Sequence, residues 1–169
     1  MEMEIKAKVS DFDGIKDILR DIGAEYTGKK EQRDIYFNHP CRDFAETDEA
    51  VRVRIEDHAY ITYKGPKIDE KTKSREEVEL RVEDEKKAAE FLKKLGFRKA
   101  GEVKKIRETY SYHNIEISLD TVEGLGLFVE IEIQGSEKDV EKLFEMGEKL
   151  GLEEYVRDSY LELLLKLKN

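Results

Sequence analysis

The strongest constraint on the fold is a strict alternation of apolar and charged side chains in the first nine residues. The odd positions are apolar: Met1, Met3, Ile5, Ala7 and Val9. The even positions are charged: Glu2, Glu4, Lys6 and Lys8. Because successive side chains of a β-strand point to opposite faces, this pattern predicts a strand with one apolar face and one charged face.

The charged face of this strand carries two carboxylates followed by an ammonium. Glu2, Glu4 and Lys6 lie two residues apart, so their side chains point the same way. Neighbouring carboxylates become useful when a divalent cation such as Mg²⁺ lies between them, and a lysine beside them can bind a phosphate oxygen. An ordinary solvated strand shows the same pattern, so the rest of the chain has to decide between a site and a plain surface.

Similar alternation recurs along the chain. It predicts strands over residues 31–38, 50–56, 60–64, 75–82, 103–112, 115–120 and 127–133. Apolar residues at helical spacing predict amphipathic helices over residues 10–22, 84–95, 136–150 and 157–168. Residues 40–49 and the Lys-rich stretch 65–74 are predicted loops. The chain therefore belongs to the α+β class, with about eight strands.

Composition limits the class of protein. A length of 169 residues suits a single domain, residues 1–169, with its own core. No apolar run is long enough to cross a bilayer or to form a signal peptide, which predicts a soluble, cytoplasmic protein without membrane contact. The single Cys41 excludes a disulfide framework, and the net charge of −9 argues against nucleic acid as a partner. Abundant Lys and Glu with few Asn, Gln and Cys is typical of thermophile proteins.

The predicted strands and helices together indicate a closed barrel. Amphipathic helices need an apolar surface to cover, and the apolar face of the sheet supplies it. An antiparallel sheet of eight strands would leave two exposed edges, and closing the sheet removes them. We therefore predict a closed antiparallel eight-stranded β-barrel, a tunnel, with the helices packed on its outside. A barrel of about eight strands has an interior large enough for side chains and one small ligand.

The charged faces of the strands would then line the interior. These residues are Glu2, Glu4, Lys6, Arg52, Arg54, Lys64, Glu77, Glu79, Lys105, Arg107, Asp120, Glu130 and Glu132. Unpaired buried charges are costly, so such an interior must hold water, ions and a charged ligand. Basic groups on several strands suit a polyanion with several phosphates, and the acids suit the metal that it carries. Simple pairing of opposite charges across neighbouring strands is the alternative.

At this point the chain resembles the CYTH domain family, the triphosphate tunnel metalloenzymes. Glu2-x-Glu4-x-Lys6 is similar to the family's ExExK signature. Further matching segments follow in the family's order: Gln-x-Asp-x-Tyr-Phe (32–37), Thr-Asp-Glu-Ala-Val-Arg-Val-Arg (47–54), Thr-Tyr-Lys-Gly-Pro (62–66), Arg-Glu-Glu-Val-Glu (75–79), Lys-x-Arg (105–107) and Leu-Asp-x-Val-x-Gly-Leu-Gly-x-Phe-x-Glu-Ile-Glu (119–132). Ser159-Tyr160 before a Leu-rich end resembles the family's C-terminus. The resemblance covers essentially the whole chain.

The resemblance implies a tunnel that binds a triphosphate. Matched positions that resemble the metal ligands, for Mg²⁺ or Mn²⁺, are Glu2, Glu4, Glu130 and Glu132, with Asp120 close by. Those that resemble the phosphate-binding set are Lys6, Arg52, Arg54, Lys64, Lys105 and Arg107. Glu77 and Glu79 resemble tunnel acids, and the Lys-rich loop 65–74 could act as a lid. A homodimer follows from family analogy only.

Three functions remain open at this stage. The chain looks most similar to class IV adenylyl cyclases, which would make it an enzyme converting ATP to cyclic AMP and pyrophosphate, with Glu2, Glu4 and Lys64 in catalytic roles. The same site with water as nucleophile would hydrolyse thiamine triphosphate or tripolyphosphate. The third reading is a module that binds a polyphosphate or nucleotide without catalysis. In both enzyme hypotheses, cations in the tunnel stabilise the charge of the transferring and leaving phosphates.

Overall fold

A computed structural model describes residues 1–68 and 74–169. Its strands are β1 (Glu2–Val9), β2 (Glu25–Asn38), β3 (Ala50–Ile55), β4 (Ala59–Lys64), β5 (Glu77–Val82), β6 (Arg98–Tyr112), β7 (Ile115–Val122), β8 (Gly126–Gln134) and β9 (Glu154–Tyr155). Its helices are α1 (Asp13–Asp21), α2 (Phe44–Thr47), α3 (Glu85–Lys94), α4 (Val140–Lys149) and α5 (Tyr160–Leu167), and a 3₁₀ turn (Glu137–Asp139) precedes α4. The predicted Lys-rich loop lies partly outside the described residues.

The strands form one antiparallel sheet, as predicted. Their order is β5-β4-β3-β2-β6-β7-β8-β1-β9. The ladder does not close into a barrel, because β5 and β9 are its two ends within the described residues. One isolated bridge joins Glu2 at the start of β1 to Arg75 just before β5, so the β5 end of the sheet approaches β1, the strand beside β9. The large antiparallel sheet is thus confirmed, while the closed barrel is not.

Two strands are longer than their alternation predicts. β2 begins at Glu25 and β6 begins at Arg98, several residues before the predicted starts. The two strands pair along their whole length, from Glu25 opposite Ser111 to Asn38 opposite Arg98, with two irregularities in register. Pairing supplies backbone hydrogen bonds that the local pattern does not reveal, so tertiary context extends both strands.

Most of the core lies between the apolar face of the sheet and helices α1 and α4. Met3 and Ile5 of β1 pack there with Ile131 of β8, Leu19 of α1 and Leu143 of α4. Burying such a side chain stabilises the fold by about 1.5–3 kcal/mol. A second core forms where α2 and α3 cover β2 and β3. The predicted helix packing therefore holds for α1, α3 and α4, whereas the short helix α2 lies in a stretch that was predicted to be a loop.

Helix ends follow their sequence signals. Asp84 caps α3, because its carboxylate accepts hydrogen bonds from the backbone N–H groups of Lys86 and Lys87. Gly23 follows α1 with φ of +79°, and the next residue, Ala24, donates back to the carbonyl of Leu19. A residue with a side chain is strained in this left-handed conformation, so glycine ends the helix there.

Helix α5 packs differently from the others. Tyr160 lies against Val103 of β6, Val122 of β7 and Phe128 of β8. These strand positions share a face with the charged residues of the sheet, since side chains two residues apart point the same way. The C-terminal helix therefore covers part of the charged face instead of the outer apolar face.

Candidate active site

The charged face of the sheet encloses a cavity of about 810 Å³. That volume is typical of a small-molecule site. The cavity is lined by twelve of the residues predicted from sequence: Glu2, Glu4, Lys6, Arg52, Arg54, Lys64, Glu77, Glu79, Lys105, Arg107, Glu130 and Glu132. Asp120 does not line it. The alternation in each strand is what turns these side chains to one side of the sheet.

One wall of the cavity groups three carboxylates. Glu2 and Glu4 of β1 and Glu132 of β8 each offer an oxygen, and the three oxygens lie within 4.8 Å of one another. Glu4 and Glu132 are direct partners in the β1–β8 ladder. Burial, and then the charges of Glu132 and Glu77, raise the pKa of Glu2. Burial and then Glu4 likewise raise the pKa of Glu132.

This trio fits a divalent cation. Its carboxylate oxygens are the ligands that Mg²⁺ and Mn²⁺ prefer. The pKa values of Glu2 and Glu132 are raised first by burial and then by neighbouring carboxylates, and a divalent cation would offset both effects. Glu130, two residues before Glu132 on the same face, accepts a hydrogen bond of 2.7 Å from Arg107.

Lys64 lies beside this wall as part of an ion pair. Its ammonium donates to Glu77 Oε1 at 2.6 Å. Burial would raise the pKa of Glu77, but the charge of Lys64 and its hydrogen bond outweigh burial and lower it. The next acid along β5, Glu79, accepts from the hydroxyl of Thr62 at 2.9 Å. The two predicted tunnel acids therefore hold polar groups of β4 in place.

Asp120 has partners that argue against its predicted place near the metal. Arg107 donates to both of its oxygens, at 2.7 and 2.6 Å, and the hydroxyl of Tyr160 donates to Oδ2 at 2.6 Å. The side chain is fully buried. Since Asp120 lies directly opposite Arg107 in the β6–β7 ladder, the register itself makes it the counter-ion of that arginine. The cation, rather than a metal, uses its lone pairs.

A second buried acid is Asp34, which belongs to the Gln-x-Asp-x-Tyr-Phe segment but was not predicted to be a site residue. Arg54 donates to both of its oxygens, at 2.7 and 2.8 Å, and the ammonium of Lys105 lies 3.6 Å away. Burial would raise the pKa of Asp34, but the hydrogen bonds from Arg54 and the charges of Lys105 and Arg54 hold it well below its usual range. Its position on β2, opposite Arg54 of β3, is the signal that could have identified it.

The cations of the cavity are themselves buried. Lys6 and Lys105 both lie over the ring of Tyr160, with their nitrogens 4.2 and 4.9 Å from its centroid. Burial, and then the charges of Arg107 and Arg54, lower the pKa of Lys105 to about 7. Arg52 is 6% exposed, and its Nε has no hydrogen-bond partner among residues 1–68 and 74–169. Such a donor is suited to an anion that enters the cavity.

Comparison with known proteins now identifies the family. The family profile described as the CYTH domain matches residues 1–160. The chain belongs to the CYTH domain family. The CYTH relative named "Putative adenylate cyclase MJ0240", from Methanocaldococcus jannaschii, is 46% identical over 171 residues, covering 96% of this chain and 98% of the relative.

Solved structures agree with this assignment. The PH1819 protein from Pyrococcus horikoshii OT3 has 45% sequence identity and a TM-score of 0.91, with 99% of both chains covered. HpAC1 from Hippeastrum, whose structure is described as that of a "putative adenylyl cyclase" that reveals a dominant triphosphatase activity, has 19% identity and a TM-score of 0.72, covering 98% of this chain and 96% of that one. The second likeness shows a shared CYTH fold alone. In the part of this CYTH chain that the structure describes, the helices are all too short or too polar to cross a membrane.

Proposed function

We propose that this CYTH protein is a divalent-metal-dependent enzyme that converts ATP to cyclic AMP and pyrophosphate. The observation that carries the proposal is the division of one cavity into two kinds of wall. Glu2, Glu4 and Glu132 form a carboxylate trio on one side. Buried basic groups, among them Arg52 and Lys105, lie on other strands. A metal-bound triphosphate has the charges to match both.

The trio Glu2, Glu4 and Glu132 would hold Mg²⁺ or Mn²⁺, with Glu130 beside it. Such an ion neutralises phosphate charge and orients the phosphates. Lys6, Arg52, Lys64, Lys105 and Arg107 would bind the phosphate oxygens, together with Arg54. Because these cations are largely buried, and because Lys64, Lys105 and Arg107 are also held by ion pairs, they need little reorganisation when charge develops on the leaving pyrophosphate.

In the cyclase reaction, the ribose 3′-hydroxyl attacks the α-phosphorus and the bond to the bridging oxygen of pyrophosphate breaks. Lys64 donates a short hydrogen bond to Glu77, which is the behaviour of an ammonium. We therefore assign Lys64 to phosphate binding rather than to removal of the hydroxyl proton, which passes to water in the cavity. The positive charge around the phosphates makes the proton easier to release.

A triphosphatase is the second candidate. The described dominant triphosphatase activity of HpAC1, which shares the fold, favours it. The same cations would stabilise a terminal phosphate while water attacks it. Inorganic tripolyphosphate and thiamine triphosphate would then be substrates as well as ATP.

The test uses purified protein with ATP, thiamine triphosphate or tripolyphosphate, each with Mg²⁺ and with Mn²⁺, and resolves the products by phosphorus NMR. Cyclic AMP with pyrophosphate supports the cyclase, while orthophosphate without cyclic AMP overturns it in favour of the triphosphatase. Glu132→Gln should abolish turnover. Glu102→Gln, at a carboxylate paired with Arg33 outside the cavity, is the matched control and should leave turnover unchanged. Tight binding without any product would leave a binding module.

A further inference from the structure

We propose that Gln32 is a specificity-determining residue, whose side-chain oxygen accepts a hydrogen bond from an N–H or O–H group on the organic part of the substrate. The site would thereby distinguish a nucleoside-type triphosphate from inorganic tripolyphosphate. The inference rests on the proposed triphosphate-binding function and assigns part of its substrate selectivity.

The orientation of the Gln32 amide is fixed by its neighbour. Its Nε2 donates to Glu56 Oε2 at 2.7 Å. An ionised carboxylate can only accept hydrogen bonds, so the amide nitrogen must face Glu56 and the oxygen must face away from it. The ammonium of Lys30 lies 3.4 Å from the other oxygen of Glu56 and forms an ion pair with it.

The oxygen of Gln32 is a buried acceptor on a residue that lines the cavity. Gln32 lines the cavity and is 7% exposed. Its Oε1 has no hydrogen-bond partner in the described ranges, 1–68 and 74–169. A buried acceptor without a donor is costly, and the cavity that Gln32 lines is the space from which a bound molecule could supply one. The fold therefore presents an acceptor to whatever occupies that space.

Gln32 lies opposite Lys105 in the β2–β6 ladder, among the cations and on a different strand from those of the carboxylate trio. Lys64 lies opposite Ala50 at the start of β3, and its partner Glu77 neighbours Glu2. Glu56 follows the end of β3, six residues from Ala50, which is about 20 Å along a strand at about 3.3 Å per residue. A triphosphate held by the trio and the central cations would direct its attached group towards Gln32.

The chemistry of the phosphates explains the selectivity. Tripolyphosphate, ionised at neutral pH, offers oxygens that accept hydrogen bonds and gives Gln32 Oε1 nothing to bind. A nucleoside offers donors, either the hydroxyls of its sugar or an amino group of its base. A site that hydrogen-bonds a substrate group discriminates against the analogue that lacks it, because the site's own buried group is left unpaired.

The experiment compares two ligands on one variant. Gln32→Met keeps the length of the side chain and removes the acceptor. Affinities for ATP and for tripolyphosphate are measured by titration calorimetry without added divalent metal, so that turnover does not interfere. We expect ATP binding to weaken about 10-fold, while tripolyphosphate binding changes less than about twofold. Arg33→Met, at the next residue of β2 but on the opposite face, is the matched control and should change neither.

Analogues identify the donor. ATP without its 6-amino group, 2′-deoxy-ATP and 3′-deoxy-ATP are titrated into both proteins. The analogue that lacks the relevant donor should bind the wild type as weakly as ATP binds Gln32→Met, and should lose no further affinity in that variant. An equal loss for ATP and tripolyphosphate, or no loss for either, overturns the role of Gln32 while triphosphate binding stands. Failure of both ligands to bind the wild type would overturn the proposed function as well.

Discussion

Asp34→Asn is the substitution that most directly tests the charge balance of the cavity. Asn has the shape of Asp but no charge, so the packing around position 34 is preserved. In the wild type, Arg54 donates to both Asp34 oxygens and Lys105 lies 3.6 Å away. Removing the charge leaves Arg54 buried with too little compensation and makes Lys105 harder to protonate, and the amide can accept at only one of the two positions that Arg54 uses.

The size of the effect follows from burial. The Asp34 side chain is 1% exposed and that of Arg54 is 13% exposed. Removing one partner of a buried ion pair costs about 3–5 kcal/mol, and we expect the lower end, about 3 kcal/mol, because Asn keeps one hydrogen bond. For a chain of this length each kcal/mol lowers the Tm by about 2–4 °C, so the Tm should fall by about 6–12 °C.

The assay is thermal unfolding followed by circular dichroism at neutral pH. Glu102→Gln removes the partner of Arg33 at the surface, where the arginine is 50% exposed, and should cost less than about 1 kcal/mol. Added tripolyphosphate should raise the Tm of Asp34→Asn more than that of the wild type, because the anion replaces the missing charge. A loss below about 1 kcal/mol, or equal stabilisation by the anion, would refute the electrostatic argument.

The pH dependence of this effect has a defined sign. The pKa of Asp34 in the folded protein lies below its ordinary value. The stabilisation it contributes is therefore complete above the unfolded-state pKa of about 3.9 and is lost as the pH falls towards the lower folded-state value. The difference in Tm between the wild type and Asp34→Asn should accordingly narrow on acidification.

Three further predictions concern neighbouring groups. Because the pKa of Lys105 is lowered to about 7, the free energy of unfolding that Lys105 contributes should increase between about pH 7 and 10. Binding of tripolyphosphate near pH 8.5 should take up a proton, which calorimetry in buffers of different ionisation enthalpy would measure. This uptake should be absent in Lys105→Met. Glu132→Gln should weaken Mn²⁺ binding by more than about tenfold in an electron spin resonance titration. The affinity of the wild type for Mn²⁺ should rise with pH, because Glu2 and Glu132 must release protons. An unchanged Mn²⁺ affinity in Glu132→Gln would contradict the proposed carboxylate trio. Tyr160→Phe should lower the free energy of unfolding by about 1–2 kcal/mol, because it removes the hydrogen bond to Asp120. Tyr160→Leu should also weaken tripolyphosphate binding, because it removes the ring that Lys6 contacts. Equal tripolyphosphate affinities of the two variants would argue against a role of the ring.

The alternation in sequence predicted the composition of the cavity wall well, because a period of two leaves little choice of face. Once Glu2 faces inward, Glu4 and Lys6 must follow. The same alternation predicted that Arg52 and Arg107 line the cavity. What alternation does not contain is which strand lies beside which. Asp120 was therefore grouped with the acids of the metal, although the ladder places it opposite Arg107.

Other misses have similar physical causes. The two-residue strand β9 carries too few residues for any period to be visible. The place of α5 was predicted on the outside because its Leu-rich face needs an apolar surface. Amphipathicity, however, indicates only that a face is buried and does not choose between the two faces of a sheet. Tyr160, with an apolar ring and a polar tip, allows α5 to pack on the charged face: its ring meets Lys6 and its hydroxyl reaches Asp120.

The distribution of paired and unpaired groups supports the proposal that the site binds a metal-bound polyanion. Behind the cavity wall, Asp34 and Asp120 neutralise Arg54 and Arg107, so these charges can be buried without a ligand. At one end, burial and neighbouring carboxylates raise the pKa values of Glu2 and Glu132, and a bound divalent ion would favour their ionised forms. Arg52 keeps a buried donor without a partner among the described residues. A metal ion alone would satisfy the acids but not Arg52, and an anion alone would satisfy Arg52 while adding to the repulsion at the acids. A triphosphate with its metal satisfies both at once, which is why the two should bind with positive cooperativity.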